Sequence, residues 1–573
     1  MSIAKSTALM AGGTLASRLT GLARTIVFFW FGATALAETY TKANNTPNML
    51  FELVIGGVLS ATLVPLFVDL ARRPTVAGTT SATGVDAPPI IASTIPPTSA
   101  TGVDAPPTIA STIPPTSATG VDAIISLVTV ILVAAVVVLF LAAPLLMWIV
   151  FHRPDEGVQR QLGTDLLRLF APQVAVYGFV TVATAMLNAR RRFLAPMLAP
   201  VLNNLVVIIV LIWARRLVVN LVPDQNARTT DTLATLRAVA TDVPSRLLFG
   251  LGTTAGVVAM GLALFVPWIR SGARVRWHWE PGHPAVQRML RLSGWTLGYV
   301  AANLITLQFV SGALPGRGDF TAYTIAYTTF FLLPHGVFAV SVMTALQPEL
   351  AEAYLNRKRG IFRRHLTGGI RSILAITVPA AAGYIALAPS IMRIFVVGDL
   401  TPEKSRLIAD VLRCFIVGLP AFSVYLLLMN ACKAMLDTRS TFIINCVENA
   451  INIVLAGLLV RLGFGTQGLA AAFALAYIAA VVLAGYHVAR RTGGLDGRDL
   501  VAVSQRIGVA SVAMGVLVWG TARGLNAALN GRFALVEVGV AATLGVSVYV
   551  VLGRLLGIRE IESVIRSVRR RLP

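Results

Sequence analysis

The sequence predicts an all-α, polytopic membrane protein: about fourteen transmembrane helices, in two pseudo-repeated six-helix lobes plus two C-terminal helices. Three observations carry that prediction. Hydrophobic residues make up 56% of the 573 and charged ones only 13%, against about 25% charged in soluble proteins. Runs of about 20 mostly apolar residues, long enough to cross a bilayer, recur to the C-terminus. One half of the chain also repeats the other. Ala185-Met186-Leu187-Asn188-Ala189-Arg190-Arg191-Arg192-Phe193 matches Ala434-Met435-Leu436-Asp437-Thr438-Arg439-Ser440-Thr441-Phe442, and, continued without a gap, Asn203 falls on Asn452. Both stretches join the fourth and fifth helices of a six-helix set, so the halves share one orientation, as in parallel-repeat transporters. The lobes are placed at 1–270 and 271–490, with 491–573 holding the two added helices and a basic tail.

The first span, Ser6 to Phe31, carries Arg18 and Arg24. An arginine near the middle of a spanning helix costs at least about 2.5 kcal/mol, and is usually kept where it faces a polar cavity or a partner. A secretory signal, with Lys5 as its basic end and Ala35-Leu36-Ala37 as its cleavage site, is disfavoured by those arginines and by the many spans that follow. Snorkelling accounts for Arg24, about 10 Å along the axis from Phe31, better than for Arg18. The helix is therefore expected to line a pathway for something anionic. Span 2 opens at Asn44-Asn45-Thr46-Pro47-Asn48 and runs to about Leu70, with Asn45, Asn48 and Glu52 on one face. Asn48 and Glu52 join Arg18 and Arg24 as candidate substrate-binding residues.

Residues 74–122 break the pattern. An 18-residue unit rich in Pro, Ser, Thr and Gly, Thr80 to Pro97, recurs from Thr98 to Pro115 and begins again at Thr116. Such a unit buries too little apolar surface to stack as a solenoid, so it reads as a disordered linker without a catalytic role. A weaker match pairs Pro65 in Leu63-Val64-Pro65-Leu66 with Pro348 in Leu346-Gln347-Pro348-Glu349, with an offset larger than that of the first match by close to two repeat units. The tract is thus an insertion into an older architecture.

The later spans are expected at Ala123–Phe151, Leu166–Leu187, Phe193–Trp213, Leu247–Ile269, Leu292–Leu314, Ala322–Leu346 and Ile370–Val397. They continue at Ile408–Ala431, Phe442–Val460, Leu469–Val488, Ile507–Leu525 and Phe533–Leu556. The polar segment Leu217 to Pro244 is expected on the membrane surface. The net charge of +22 suggests nucleic acid in a soluble chain, but here the basic clusters fall on alternate connections and set topology. With both termini inside, the inner connections receive Arg72-Arg73, Arg190-Arg191-Arg192, Arg357-Lys358-Arg359, Arg490-Arg491 and Arg569-Arg570-Arg571. Arg215-Arg216 and Arg246 are the exceptions, falling outside.

No hydrolytic, nucleotide or metal motif is present: no Walker A sequence, no HExxH, no GxSxG, and no cluster among the six histidines. Cys414, Cys432 and Cys446 lack metal-ligand spacing and read as apolar fillers. No enzyme activity and no cofactor are expected. The chemistry sits in polar residues inside spans. Asn445, Glu448, Asn449 and Asn452, at i, i+3, i+4 and i+7, make one continuous face of the eleventh helix. Interhelical hydrogen bonding is the plain account of the asparagines; a membrane carboxylate such as Glu448 often binds a proton or cation, or pairs with arginine. These four are the candidate ion-coupling residues.

Three stretches together resemble the MurJ/MviN lipid II flippases. Thr14-Leu15-Ala16-Ser17-Arg18-Leu19-Thr20-Gly21-Leu22-Ala23-Arg24 is similar to that family's first helix, and Asn45-Thr46-Pro47-Asn48-Met49-Leu50 to its second. Met186-Leu187-Asn188-Ala189-Arg190-Arg191-Arg192-Phe193, with Pro196, Pro200 and Asn203-Asn204, is similar to its helix 4 to helix 5 hairpin. The resemblance implies a member of the multidrug/oligosaccharidyl-lipid/polysaccharide exporter superfamily in the bacterial inner membrane. Two lobes would rock about a central cavity, and helices 13 and 14 would form a groove for a lipid tail. The cargo would be lipid II, with Arg18 and Arg24 as diphosphate ligands and sodium or proton coupling. Arginine's forked donors suit phosphate oxygens. The chain departs from the family's pattern where Phe51-Glu52 replaces basic residues and where Thr329 stands for a cavity arginine of helix 8. For sodium, only the helix 11 face around Asn445 and Asn449 is a counterpart.

Two rival readings stay open at this stage. One is a cation-coupled exporter of small amphipathic compounds on the same scaffold, with Glu448 or Glu52 as the coupling group. The other is a non-transporting scaffold that docks cell-wall synthesis proteins. Expected partners are a lipid-linked diphosphate, membrane lipids and wall-synthesis proteins, with no nucleic acid.

Overall fold

The computed structural model describes residues 16–52 apart from 18, 29, 32 and 33, and residues 118–560 apart from 190, 191, 193, 231–232, 272–275, 315–318, 397, 436 and 559. Every regular element among them is helical. Among the described residues, ten helices are long and apolar enough to span a membrane, and a bent pair makes an eleventh. Three further expected spans correspond to helices whose described parts are shorter or more polar. Arg18, the tract 74–117, Pro65 and the tail 561–573 lie outside the described residues.

The first set begins with α1 (Leu19–Phe28) and α2 (Ala35–Phe51), which starts where Thr34 accepts from the Ala37 N–H at 3.4 Å and where Glu38 meets the positive helix end. α3 (Ala118–Val150) carries no charged residue after Asp122 and starts inside the last repeat unit, earlier than expected. α4 runs as Gly157–Phe170 and Gln173–Ala189, broken at Pro172. At the break the Thr254 hydroxyl donates to Leu169 O (2.9 Å) and accepts from Gln173 Nε2 (3.0 Å), satisfying groups the proline leaves exposed. α5 is Leu194–Leu221 and α6 is Thr253–Arg270, entered through Val243–Leu247, whose N-cap Asp242 accepts from Ser245 N–H at 2.9 Å.

The second set comprises α7 (Pro284–Ala313), α8 (Asp319–Met343) and α9 (Arg359–Ile394). It continues with α10 (Pro402–Val417 and Leu419–Ala434), α11 (Thr438–Arg461) and α12 (Gly465–Thr492). The expected single span at Ile408–Ala431 is instead bent by 47° within α10. Pro420 removes a hydrogen bond there, and Gly418 lets α12 approach so closely that a Cβ would lie 2.7 Å from Ala474 Cα. α8 contains wide π-helical turns at Ala326–Phe331 and His335–Ala339, on either side of Pro334. α13 (Gly497–Ala528) and α14 (Ala534–Leu555) complete the chain.

Packing follows this division. Leu36, Phe170, Leu211 and Phe249 form one core of the first set, and Phe151, Leu167 and Val174 another. The second set packs around Phe331, Phe415, Phe422, Phe473, Tyr425 and Tyr477, with rings tilted or edge-on at 4.6–5.9 Å. α13 and α14 add a separate core on α9, built from Ile507, Met514, Val518 and Tyr549. The sets meet where α3 packs on α7 and α2 on α8. Large apolar side chains such as Leu141, Trp148, Val512 and Leu555 point outward, as lipid-facing positions require.

The segment between α5 and α6, expected on the membrane surface, packs one face against the first set. Its helix Ala234–Thr241 buries Leu236 and Val239 completely within the first set, and Arg228 is 5% exposed. Leu233, Leu236 and Val239 recur at about one helical turn, so even this polar stretch carries an apolar stripe to bury. The structure also accounts for the basic exceptions to the topology pattern. Arg215 is paired with Asp399, and Arg246 Nη1 lies 2.7 Å from Asp165 Oδ2.

Candidate functional site

Arg24 sits on α1 half-buried, within electrostatic reach of Tyr40 on α2 and Tyr177 on α4. Tyr40 is itself fixed by a 2.9 Å hydrogen bond with Thr253 of α6 and by the rings of Phe28, Phe170 and Phe249. α1 is held against α5 by Asn204, whose Nδ2 donates to Ser17 O (3.3 Å) and Thr20 Oγ1 (3.1 Å). Arg24 therefore rides on a helix whose place is set on two sides.

The polar stripe of α2 divides. Asn48 is half-buried and its Nδ2 donates back to Asn44 O at 3.2 Å, so part of its capacity serves its own helix. Glu52, the last described residue of this stretch, is exposed and within electrostatic reach of Tyr327 on α8. Thr329, where a basic residue was expected in relatives, is half-buried in the first wide turn of α8.

The α11 face is buried throughout: Asn445 is 0%, Glu448 1%, Asn449 5% and Asn452 4% exposed. The residue that organises it is Asn303 of α7. Its Oδ1 accepts from Asn445 Nδ2 (3.2 Å) and Asn449 Nδ2 (3.0 Å), while its Nδ2 donates to Tyr299 O (3.1 Å). Two oxygens of this face, Glu448 Oε2 and Asn452 Oδ1, remain buried without a hydrogen-bond partner, and the Tyr425 hydroxyl of α10 stands beside the Asn445 amide. Buried polar atoms are nearly always paired, so such a group of acceptors fits a proton or a hard cation, which takes oxygen ligands. Asn203, the repeat partner of Asn452, likewise has a buried Oδ1 with no partner. Among the described residues no three His, Cys, Asp or Glu side chains gather as a metal site.

Glu448 and Glu52 both lie within electrostatic reach of Tyr327, whose ring packs on Phe331, Phe415 and Phe473 in the core of the second set. The clearest cavity is elsewhere. A space of about 600 Å³, almost wholly apolar, opens between α9, α13 and α14 beside Ala380, Gly383, Met514 and Tyr549. It suits a hydrocarbon chain, and Arg24 and Asn303 are not among the residues lining it.

Sequence reasoning missed Asn303, although an asparagine in an apolar span is the kind of signal that singled out Asn445. It also missed the buried pair Glu38–Lys42, which has the favourable i, i+4 order of a helical ion pair.

Comparison with known proteins gives a consistent result. The chain matches the family described as "Lipid II flippase MurJ" over residues 117–538. It is 25% identical over 578 residues to a "Probable lipid II flippase MurJ" of Thermotoga maritima, covering 99% of each chain. A Vibrio cholerae protein of the same description is 26% identical, covering 97% of this chain and 96% of its own. Among solved structures, "Lipid II flippase MurJ, inward closed conformation" superposes with a TM-score of 0.66 at 20% identity, covering 96% of this chain and 98% of that one. An inward-facing multidrug transporter of the MATE family and MOP superfamily follows with a TM-score of 0.58 at 14% identity, covering 83% and 94%.

Proposed function

The chain belongs to the lipid II flippase MurJ family, and on that premise we propose that it is a lipid II flippase, carrying the undecaprenyl-diphosphate-linked peptidoglycan precursor from the inner to the outer leaflet of the bacterial inner membrane. Its two helix sets rock to give access to each side in turn, with both termini in the cytoplasm. The observation that carries this reading is Arg24. A half-buried guanidinium within reach of tyrosines on two neighbouring helices of one set is suited to an anion, and the diphosphate of the cargo is one. Arg18, six residues earlier in the sequence, is the second ligand in the same reading, and Asn48 and Glu52 line the mouth of the path.

The apolar cavity between α9, α13 and α14 supports a role in holding the lipid tail while the headgroup crosses. The unpartnered oxygens of the α11 face support sodium or proton coupling, which would draw Asn445, Glu448 and Asn452 together when charged and let them relax on release. The rival exporter of small amphipathic compounds uses the same ion site but has no need of Arg24.

The test is replacement of Arg24 by Ala and by Lys in cells depleted of their own flippase. Ala is expected to abolish rescue at normal protein level, and Lys to restore only part of it, because a point charge lacks the fork. Full rescue by Arg24→Ala would remove the proposed role. Drug efflux that persists in the Ala variant, without any effect on wall synthesis, would favour the rival.

A further inference from the structure

At the end of the bundle where α1 and α9 finish, the two helix sets are joined by a contact that the transport reading leaves unused. Asp399, on the turn after α9, is 4% exposed and lies between two arginines of the first set. Arg215 of α5 approaches with both terminal nitrogens, Nη2 standing 2.9 Å from Oδ1 and Nη1 bonded to Oδ2. Arg228 places Nε 3.2 Å from Oδ1. The backbone reinforces this: the Asp399 N–H donates to Trp30 O at 3.1 Å, and Gly398 O accepts from Gln225 Nε2 at 2.9 Å. Gly398 has φ +64°, and a Cβ there would stand 2.6 Å from the Cα and O of Trp30. Only a residue without a side chain lets the turn seat so closely.

The two sides of the contact are built differently. Arg228 also donates through Nη1 to Pro223 O at 2.8 Å, so the first set holds it in place without help from Asp399. The first set supplies a preformed basic socket, and the second supplies one carboxylate on a tight turn. Two guanidiniums against one carboxylate leave net positive charge in a buried place, tolerable only while Asp399 stays seated. Nearby, Arg153 Nη2 donates to Leu314 O at 2.6 Å and Lys42 Nζ stands 5.2 Å from the Phe320 ring, so other links between the sets cluster at the same end.

We propose that Asp399, Arg215 and Arg228 form the outer latch of the carrier: seated, they keep the two sets closed at this end, and they must part each time it opens. The latch sets the balance between the two access states. This rests on the transport reading, but its test does not require any lipid to move.

The full-length protein in lipid nanodiscs, with spin labels on cysteines replacing Asp224 and Glu403 and the native cysteines replaced by Ala, reports the distance across this end by double electron–electron resonance. Asp399→Asn, which keeps shape and removes charge, is expected to raise the ratio of long to short distances about tenfold or more. Asp399→Glu is expected to keep most of the short population. Gly398→Ala, which pushes the turn off Trp30 without touching charge, is expected to shift the ratio the same way. A wild-type distribution in Asp399→Asn overturns the latch, and if that variant does not fold, a wild-type distribution in Gly398→Ala overturns it instead. A shifted distribution in a protein that moves no lipid II would keep the latch and remove the transport reading.

Discussion

Replacing Lys42 by Met should be among the more damaging single changes on α2, and the structure gives the size. Lys42 Nζ lies 2.9 Å from Glu38 Oε1, and both side chains are 5% exposed. At that separation the attraction is roughly 6 kcal/mol with an effective dielectric constant of about 20, before the cost of taking both charges out of water. Breaking such a buried pair from one side costs about 3–5 kcal/mol, because the remaining charge stays buried without that attraction. Lys42 also sits 4.8 Å from the Phe151 ring and 5.2 Å from the Phe320 ring, cation–π contacts that Met replaces in part through its sulfur. Lys42→Met and Glu38→Gln are therefore each expected to destabilise by about 3–5 kcal/mol, and the double variant to fall within about 1 kcal/mol of wild type. Stability differences from thermal unfolding of the purified protein in one detergent provide the cycle. If the double variant loses as much as the two singles summed, the charges do not act on each other and the reasoning fails.

Two more outcomes follow from sites at the opposite end and at the apolar cavity. Asp437, just outside α11, is pushed up by partial burial, but the N–H and hydroxyl of Ser440 together with His487 and Arg491 outweigh that and hold its pKa below the ordinary aspartate value. Its stabilisation is thus present above about pH 3.9 and lost as pH falls through the lower folded value, so hydrogen-exchange protection in the first turn of α11, taken relative to the intrinsic rate at each pH, should fall at acid pH, and Asp437→Asn should remove that dependence. Gly383 borders the cavity between α9, α13 and α14, and a Cβ there would meet only Met514 Cε, at 3.9 Å. Gly383→Trp should fold at wild-type levels yet lose rescue of flippase-depleted cells, whereas full rescue would show that the cavity holds no lipid tail.

The amino-acid sequence by itself determined the class of the protein, the approximate course of its spans and the buried face of α11. Each of these is local: apolar length and a period of 3.6 residues are written into consecutive positions. The same reasoning found Arg24, since a charge inside an apolar run stands out wherever the run is folded. The repeat that marks 74–122 is legible only in the sequence, and the described residues take it up from Ala118, where α3 begins. What only the tertiary structure decided is which distant groups meet. Nothing near Asp399 announces partners 171 and 184 residues away, and nothing in the polar stretch around Arg228 announces that it is buried. Asn303 became the centre of the α11 cluster only when α7 packed on α11. α10 bends because α12 presses against Gly418 as well as because Pro420 follows. Ion pairs, amide clusters and close helix crossings are set by where helices lie relative to one another. That placement comes from the sum of many weak packing contacts along whole helices, which no short stretch of sequence records.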